Sequence, residues 1–174
     1  MQEKITRPSL DAYKSVQGWC SDIEAAALQQ FAKGKEVLEI GVWKGRSTIA
    51  MAATAYHILS VDHFLGDEFA GNGNPRQETV NRLAPYQSIV SLCISKWICL
   101  VEYLDIHTFD MIYYDADHTY EATKQFFDVV HNYKGVIALH DVDNNPNHSG
   151  VKQALHEFVD PTSYSLYDRL AIIS

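Results

Sequence analysis

The sequence predicts an α/β fold, a doubly wound and mostly parallel sheet with helices on both faces and an antiparallel hairpin at its C-terminal end. Three observations carry this. Short apolar runs alternate with helical periodicity almost throughout, the signature of parallel strands joined by crossover helices. The run at 109–114 ends Met-Ile-Tyr-Tyr, apolar enough for burial on both faces of a sheet. At 174 residues the chain has the size of one such domain.

The elements follow in order. Ser21-Asp-Ile-Glu24 is a capping box, opening a helix that runs through Ala25-Ala26-Ala27-Leu28 towards Phe31, and Lys33-Gly34-Lys35 closes it. Strand one is 37–40, and a glycine turn leads from it into a helix at 47–56. Strand two is 57–62. The stretch 66–75 is an aperiodic loop, followed by a helix at 76–83. Strand three spans 89–95 with a short helix at 96–104, and strand four spans 109–114. A long helix, 120–132, crosses to strand five at 136–139. A last helix at 149–159 precedes a hairpin within 164–173 that turns at Asp168-Arg169. The count is seven strands, without repeats, low-complexity tracts or linkers. The chain therefore reads as a single domain, with 1–34 an N-terminal lid and helix region and 35–174 the core.

Charge and composition exclude several classes. A formal net charge of −8 disfavours nucleic-acid and anionic-membrane surfaces, which need clustered Lys and Arg. No apolar run approaches the ~20 residues of a membrane span. The first ten residues are polar and lack the apolar core of a signal peptide. Cys20, Cys93 and Cys99 are odd in number and lack metal spacing, which reads as reduced thiols in a cytoplasmic protein, or simply small buried hydrophobes.

The most informative stretch is 37–48, Val-Leu-Glu-Ile-Gly-Val-Trp-Lys-Gly-Arg-Ser-Thr. A buried strand, a glycine turn and a helix N-terminus let backbone N–H groups approach a nucleotide-like ligand. The spacing is G-x-x-x-G, with Val42 where a dinucleotide fold needs its second glycine, so there is no pyrophosphate cradle. A nucleoside fits, and S-adenosylmethionine is such a ligand. Asp62, at the tip of strand two and roughly 20 residues past the turn, can accept from both ribose hydroxyls.

In sheets of this kind ligands bind beyond the carboxyl ends of the strands, so the loops after strands one, two, four and five should converge on one rim. Strand four ends Asp115-Ala-Asp117-His118 and strand five ends His140-Asp141-Val-Asp143, with His63 and His148 nearby. Carboxylates and imidazoles together suit a divalent cation. Oxygen ligands favour Mg²⁺, Ca²⁺ or Mn²⁺, and imidazole shifts the choice towards Mn²⁺, Fe²⁺ or Zn²⁺. The same residues could be polar loop positions, Asp117 capping the helix entered at Tyr120. Tyr113-Tyr114 read as core.

Taken in order, Gly18-Trp19, the capping box, V-L-E-I-G-x-x-x-G-R-S-T, S-V-D, Y-D-A-D-H-T-Y-E and A-L-H-D-V-D resemble the S-adenosylmethionine-dependent methyltransferases of the seven-strand, Rossmann-like fold. The branch they look most like is the small-molecule O-methyltransferases related to macrocin O-methyltransferase and cephalosporin hydroxylase-like proteins. The likeness covers about residues 18–174, and Ala116 stands where the family pattern often has glycine. It implies a cofactor site of Glu39, Gly41, Gly45, Ser47, Asp62 and His63, with Asp115 facing the methyl-transfer point. It implies a Mg²⁺ or other divalent cation on Asp115 and Asp141 with His140, and His118, His140 and Asp115 as catalytic groups, His118 the candidate base.

The expected activity is methyl transfer to a hydroxyl of a small molecule, a sugar or secondary metabolite. The chain lacks the Asn/Asp-Pro-Pro-aromatic segment by which methylases of exocyclic nitrogens resemble one another. Two other readings stay open: a protein that binds the cofactor without turnover, and a metal-dependent hydrolase, which would leave Glu39 and Asp62 without a role. Specificity would lie in 66–75 and the first twenty residues, with Trp19 and Trp43 either aromatic walls or ordinary packing. A small domain with a short lid makes a homodimer reasonable.

Overall fold

The computed structural model describes residues 5–66, 74–147 and 149–174. Among the described residues, seven strands form one sheet in the order β3-β2-β1-β4-β5-β7-β6, with β1 (Glu36–Ile40), β2 (His57–Asp62), β3 (Val90–Ile94), β4 (Met111–Tyr114), β5 (Val136–Leu139), β6 (Tyr164–Tyr167) and β7 (Leu170–Ile173). The first five are parallel, and β7 runs antiparallel to both β5 and β6. The chain moves outward from β1 to β2 and β3, then returns to β4 on the other side. The strand ends therefore splay at β1 and β4, where a crevice opens.

Alternation along the strands builds two cores. Val37, Ile58, Met111, Tyr113 and Ala138 pack on one face beneath α1 (Asp22–Phe31) and α2 (Arg46–Ala52). Leu38, Ile40, Ile112, Tyr114 and Leu139 pack on the other against Phe126 and Phe127 of α5 (Tyr120–Val130) and Leu155 of α6 (Ser149–Phe158). Two further helices, α3 (Arg76–Leu83) and α4 (Trp97–Leu100), follow β2 and β3 respectively.

The sequence-based boundaries hold closely for β2, α3 and β5, and the capping box is complete: Glu24 N donates to Ser21 Oγ and Ser21 N to Glu24. The helix expected at 47–56 stops at Ala52, because Thr54 turns back to α1. Its hydroxyl donates to Gln29 O and its carbonyl accepts from Gly34 N. The helix expected at 96–104 is a single turn. Asp117 does not cap α5. Thr119 does, through Ala122 N, while Asp117 accepts from Thr119 N in the turn before it. In the terminal hairpin the last strand lies inside, since Leu170, Ala171 and Ile172 are buried whereas Leu166 of β6 is exposed. Cys20 is buried, but Cys99 is exposed and so is not the small core residue anticipated.

Candidate active site

Gly41 follows β1 at φ +92, and a Cβ there would sit 1.9 Å from the backbone oxygen of Asp115. Glycine is thus required for the β1 and β4 loops to pass each other. Asp62, half-buried at the tip of β2, staples the turn that follows. Its Oδ2 accepts from Val42 N and Trp43 N, both at 2.8 Å, and its Oδ1 from Phe64 N at 2.6 Å. A carboxylate offers about four acceptor positions, so one remains for a donor arriving from the cleft.

Glu39 lies beneath this turn. Alternation points it towards α2, in register with Ser60. There it accepts from Ser47 Oγ and Thr48 Oγ1 at 2.7 Å each and from Ser60 Oγ at 2.6 Å. Burial raises its pKa, the three hydroxyl donors pull it back, and the balance stands at about 7.

The second half of the site is a compact charged cluster. His140, at the end of β5, has Nδ1 3.1 Å from Asp115 Oδ1 and 3.4 Å from Asp141 Oδ2, and Nε2 3.2 Å from Glu24 Oε2. His118 Nε2 lies 2.9 Å from Asp141 Oδ2 and 3.7 Å from Asp115 Oδ1. Arg169 NH1 donates to Asp141 Oδ1 at 2.8 Å, and Tyr113 OH to Asp115 Oδ2 at 2.9 Å. Among the described residues, three carboxylates therefore face two imidazoles and one guanidinium.

Burial opposes every charge here, and mutual pairing outweighs it. Asp115 is held well below the ordinary carboxylate range by His140 and His118, and Asp141 is lowered by the same two histidines. Burial would lower His118, but Asp115 and Asp141 carry it up to about 10; His140 is likewise raised well above its ordinary value. In this state His118 is a donor. The ligand atoms of Asp115, His140 and Asp141 all lie within 4.8 Å of one another, and Asp115 keeps 26% of its side chain open to the cleft. Two carboxylate oxygens and an imidazole nitrogen at that spacing fit a divalent cation, which would answer the same charge need as the imidazolium protons.

Both halves open into one cleft of about 770 Å³, well within the size range of small-molecule sites. Its wall includes Gly41, Ser47, Asp62, His63, Asp115, His118, His140 and Asp141, together with Ser95 to Ile98 after β3. Trp43, Phe64 and Asp141, all in this wall, have φ of 47, 54 and 58. Left-handed backbone in residues other than glycine is costly and gathers where a site demands it.

A strap from the N-terminal segment roofs the glycine turn. Arg46 donates from Nε to Cys20 O at 2.8 Å and from NH1 to Val16 O at 2.7 Å and Tyr13 O at 3.2 Å. Trp19 stacks on Trp43 with centroids 4.4 Å apart. Beneath the strap, burial pushes the Cys20 thiol up to about 12, so it stays protonated and inert.

Of the site residues expected from sequence, Gly41, Ser47, Asp62, His63, Asp115, His118, His140 and Asp141 meet at the cleft, while Glu39 and Gly45 lie outside its lining. Gly45 caps α2 at φ +81, and Glu39 supports the turn from below. His148 and residues 67–73 of the aperiodic 66–75 loop fall outside the described residues. The rim also draws on the loop after β3, which sequence reasoning left out. Glu24, Arg46 and Arg169 were missed as well. Glu24 was visible only as half of a capping box, and an arginine in a hairpin turn carries no signal of its own.

Residues 38–142 match the family described as "Methyltransferase domain". No curated protein sequence matches the chain. Among solved structures the chain is similar to cofactor-bound Rv0187 from MTB, at 16% identity and a TM-score of 0.67 over 94% of this chain and 84% of that one. It is similar to the O-methyltransferase from Bacillus cereus in complex with SAH, at 16% identity and a TM-score of 0.58 over 88% and 82%. It is also similar to the O-methyltransferase TomG from Streptomyces achromogenes, involved in tomaymycin synthesis, in complex with SAM, at 16% identity and a TM-score of 0.56 over 87% and 78%.

Proposed function

The chain belongs to the methyltransferase-domain family, and from that premise we propose that it moves the methyl group of S-adenosylmethionine to a hydroxyl oxygen of a small molecule, with a divalent cation held by Asp115, His140 and Asp141. One observation carries the reading. The glycine turn stapled by Asp62 and the cluster of Asp115, His118, His140 and Asp141 face the same cleft.

The chain's own groups divide the work. Asp62 keeps an acceptor position for a ribose hydroxyl, and the turn it staples lets backbone N–H groups approach a nucleoside. Ser95 to Ile98 close the cleft on the β3 side, and the Trp19–Trp43 stack closes it on the strap side. Bound S-adenosylmethionine supplies a methyl already activated by its sulfonium, so the protein mainly has to align an acceptor oxygen and exclude water. A divalent cation bound at the cluster would lower the pKa of a coordinated hydroxyl. His118 is the group placed to take the proton, once Asp115 and Asp141 are engaged elsewhere and no longer hold one on it. Two solved neighbours carry SAM or SAH and are O-methyltransferases by their descriptions, which supports the cofactor and the oxygen acceptor.

The pairing within the cluster favours a second reading, a cofactor-binding protein without turnover, since Glu24, Asp115 and Asp141 each already have a cationic partner. Calorimetry of S-adenosylmethionine and S-adenosylhomocysteine in EDTA and with Mg²⁺ or Mn²⁺, joined to transfer of labelled methyl to a panel of hydroxylated sugars and phenols, tests both. Cofactor binding with cation-dependent transfer supports the first reading. Binding without transfer to any acceptor supports the second. No binding under any condition sinks both.

A further inference from the structure

Glu24 reaches the rim from α1, a helix that precedes the first strand. Its carboxylate is fully buried, and both oxygens are committed. Oε1 accepts from Arg169 N at 3.1 Å, while Oε2 accepts from Ser21 N at 2.7 Å and lies 3.2 Å from His140 Nε2. A capping box needs only the bond to Ser21 and forms equally well on a solvated helix end. The contact with His140, 116 residues away, goes beyond what a helix cap requires.

That contact decides which way the imidazole faces. An imidazole engaged at Nε2 turns Nδ1 the other way, and here Nδ1 faces Asp115 Oδ1 at 3.1 Å and Asp141 Oδ2 at 3.4 Å. Such an outer carboxylate fixes the tautomer and orientation of a metal-binding histidine. We propose that Glu24 is a positioning residue, holding His140 so that Nδ1 is the nitrogen offered beside Asp115 and Asp141, and thereby making the docking of α1 a condition for cation capture at the rim. The proposal rests on the cation reading given above. Arg169 joins the same device, since its backbone N–H binds Glu24 while its guanidinium binds Asp141 and the Trp19 carbonyl. One carboxylate thus ties the N-terminal strap, the β6–β7 turn and the end of β5 to the cluster.

The test is Mn²⁺ titrated into the full chain and followed by electron paramagnetic resonance, with pulsed detection of a directly bound imidazole nitrogen. The variants are Glu24→Ala, Glu24→Gln and Ser21→Ala, the last removing the cap without touching His140. The wild type should bind Mn²⁺ and show one imidazole nitrogen. Glu24→Gln, a weaker acceptor at the same reach, should keep that nitrogen signal with affinity down about tenfold. Glu24→Ala should lose the signal with affinity down by up to about 100-fold. Ser21→Ala should leave affinity unchanged, and if Glu24→Ala does not fold, the contrast between Glu24→Gln and Ser21→Ala decides. Equal affinities in those two variants, or an intact nitrogen signal in folded Glu24→Ala, would overturn the positioning role while the cation reading stands. A wild type that binds no Mn²⁺ would overturn both.

Discussion

Glu39 and Ser60 stand opposite each other in register on β1 and β2, and the serine hydroxyl donates to the glutamate at 2.6 Å in a fully buried pocket. Ser47 and Thr48 complete a ring of three hydroxyl donors around a carboxyl that burial raises to about 7.

That value makes Glu39 a pH-dependent element of stability. A carboxyl whose folded pKa lies above its ordinary 4.5 binds more protons folded than unfolded between those two values. Its contribution is complete below about pH 4.5 and is lost as pH rises through 7, an interval worth about 3 kcal/mol. Glu39→Gln removes the titration and leaves an amide that the hydroxyls can still engage. Urea unfolding at pH 5 and pH 8 should show the variant gaining about 3 kcal/mol on the wild type between the two. Parallel pH profiles would place the carboxyl in a wetter site than the one described.

Asp62 should prove to be a staple as well as a ligand. Asp62→Ala leaves the N–H groups of Val42, Trp43 and Phe64 without their shared acceptor. Losing hydrogen bonds to a charged group should lower the unfolding free energy by about 2 kcal/mol even without cofactor. Affinity for S-adenosylhomocysteine should fall with it, by more than tenfold. A variant as stable as the wild type that merely binds less well would confine Asp62 to the ligand.

Gly41→Ala and Gly34→Ala separate crowding from backbone strain. Both glycines have positive φ, +92 and +70, but a Cβ at Gly41 meets the Asp115 backbone oxygen at 1.9 Å whereas one at Gly34 meets nothing within 4 Å. Gly34→Ala should cost only the left-handed conformation, about 1 kcal/mol. Gly41→Ala must also force the β1 and β4 loops apart, and should cost about 3 kcal/mol or more together with cofactor binding. Equal losses in denaturant titrations would mean that the loops part without resistance.

Much of this was legible in the sequence because strand alternation, capping and glycine turns are local signals. Ser21 and Glu24 announced their helix, Asp168-Arg169 announced their turn, and residues at the strand ends could be assigned to one rim by topology alone. What local pattern could not supply was partnership across distance. Nothing near Glu24 points to His140, and nothing near Arg46 points to the carbonyls of Val16 and Cys20. Glu39 reads as a cofactor residue from its place in a motif. Its parity on β1 aims it at α2 and three hydroxyls, a contact set that takes the packed sheet to see. The helix after Gly45 was drawn too long because Thr54 leaves it for a partner on α1.

Arg46 should govern the strap. Its guanidinium holds the carbonyls of Tyr13, Val16 and Cys20 while lying over the Tyr13 ring at 5.1 Å. A planar fork is needed to reach several carbonyls at once, and lysine, a single ammonium on a flexible stem, cannot reproduce it. Arg46→Lys and Arg46→Ala should therefore both release residues 13–20. The opening free energy of that segment should fall by about 2 kcal/mol, read as faster amide exchange there, while exchange in β1, β4 and β5 stays unchanged. Because Trp19 and Trp43 stack across the strap and the glycine turn, indole fluorescence should shift in the same variants. Restoration of slow exchange by saturating S-adenosylhomocysteine would identify the strap as part of the cofactor's enclosure. Slow exchange in the variants without ligand would mean that the stack, and not the arginine, holds the roof.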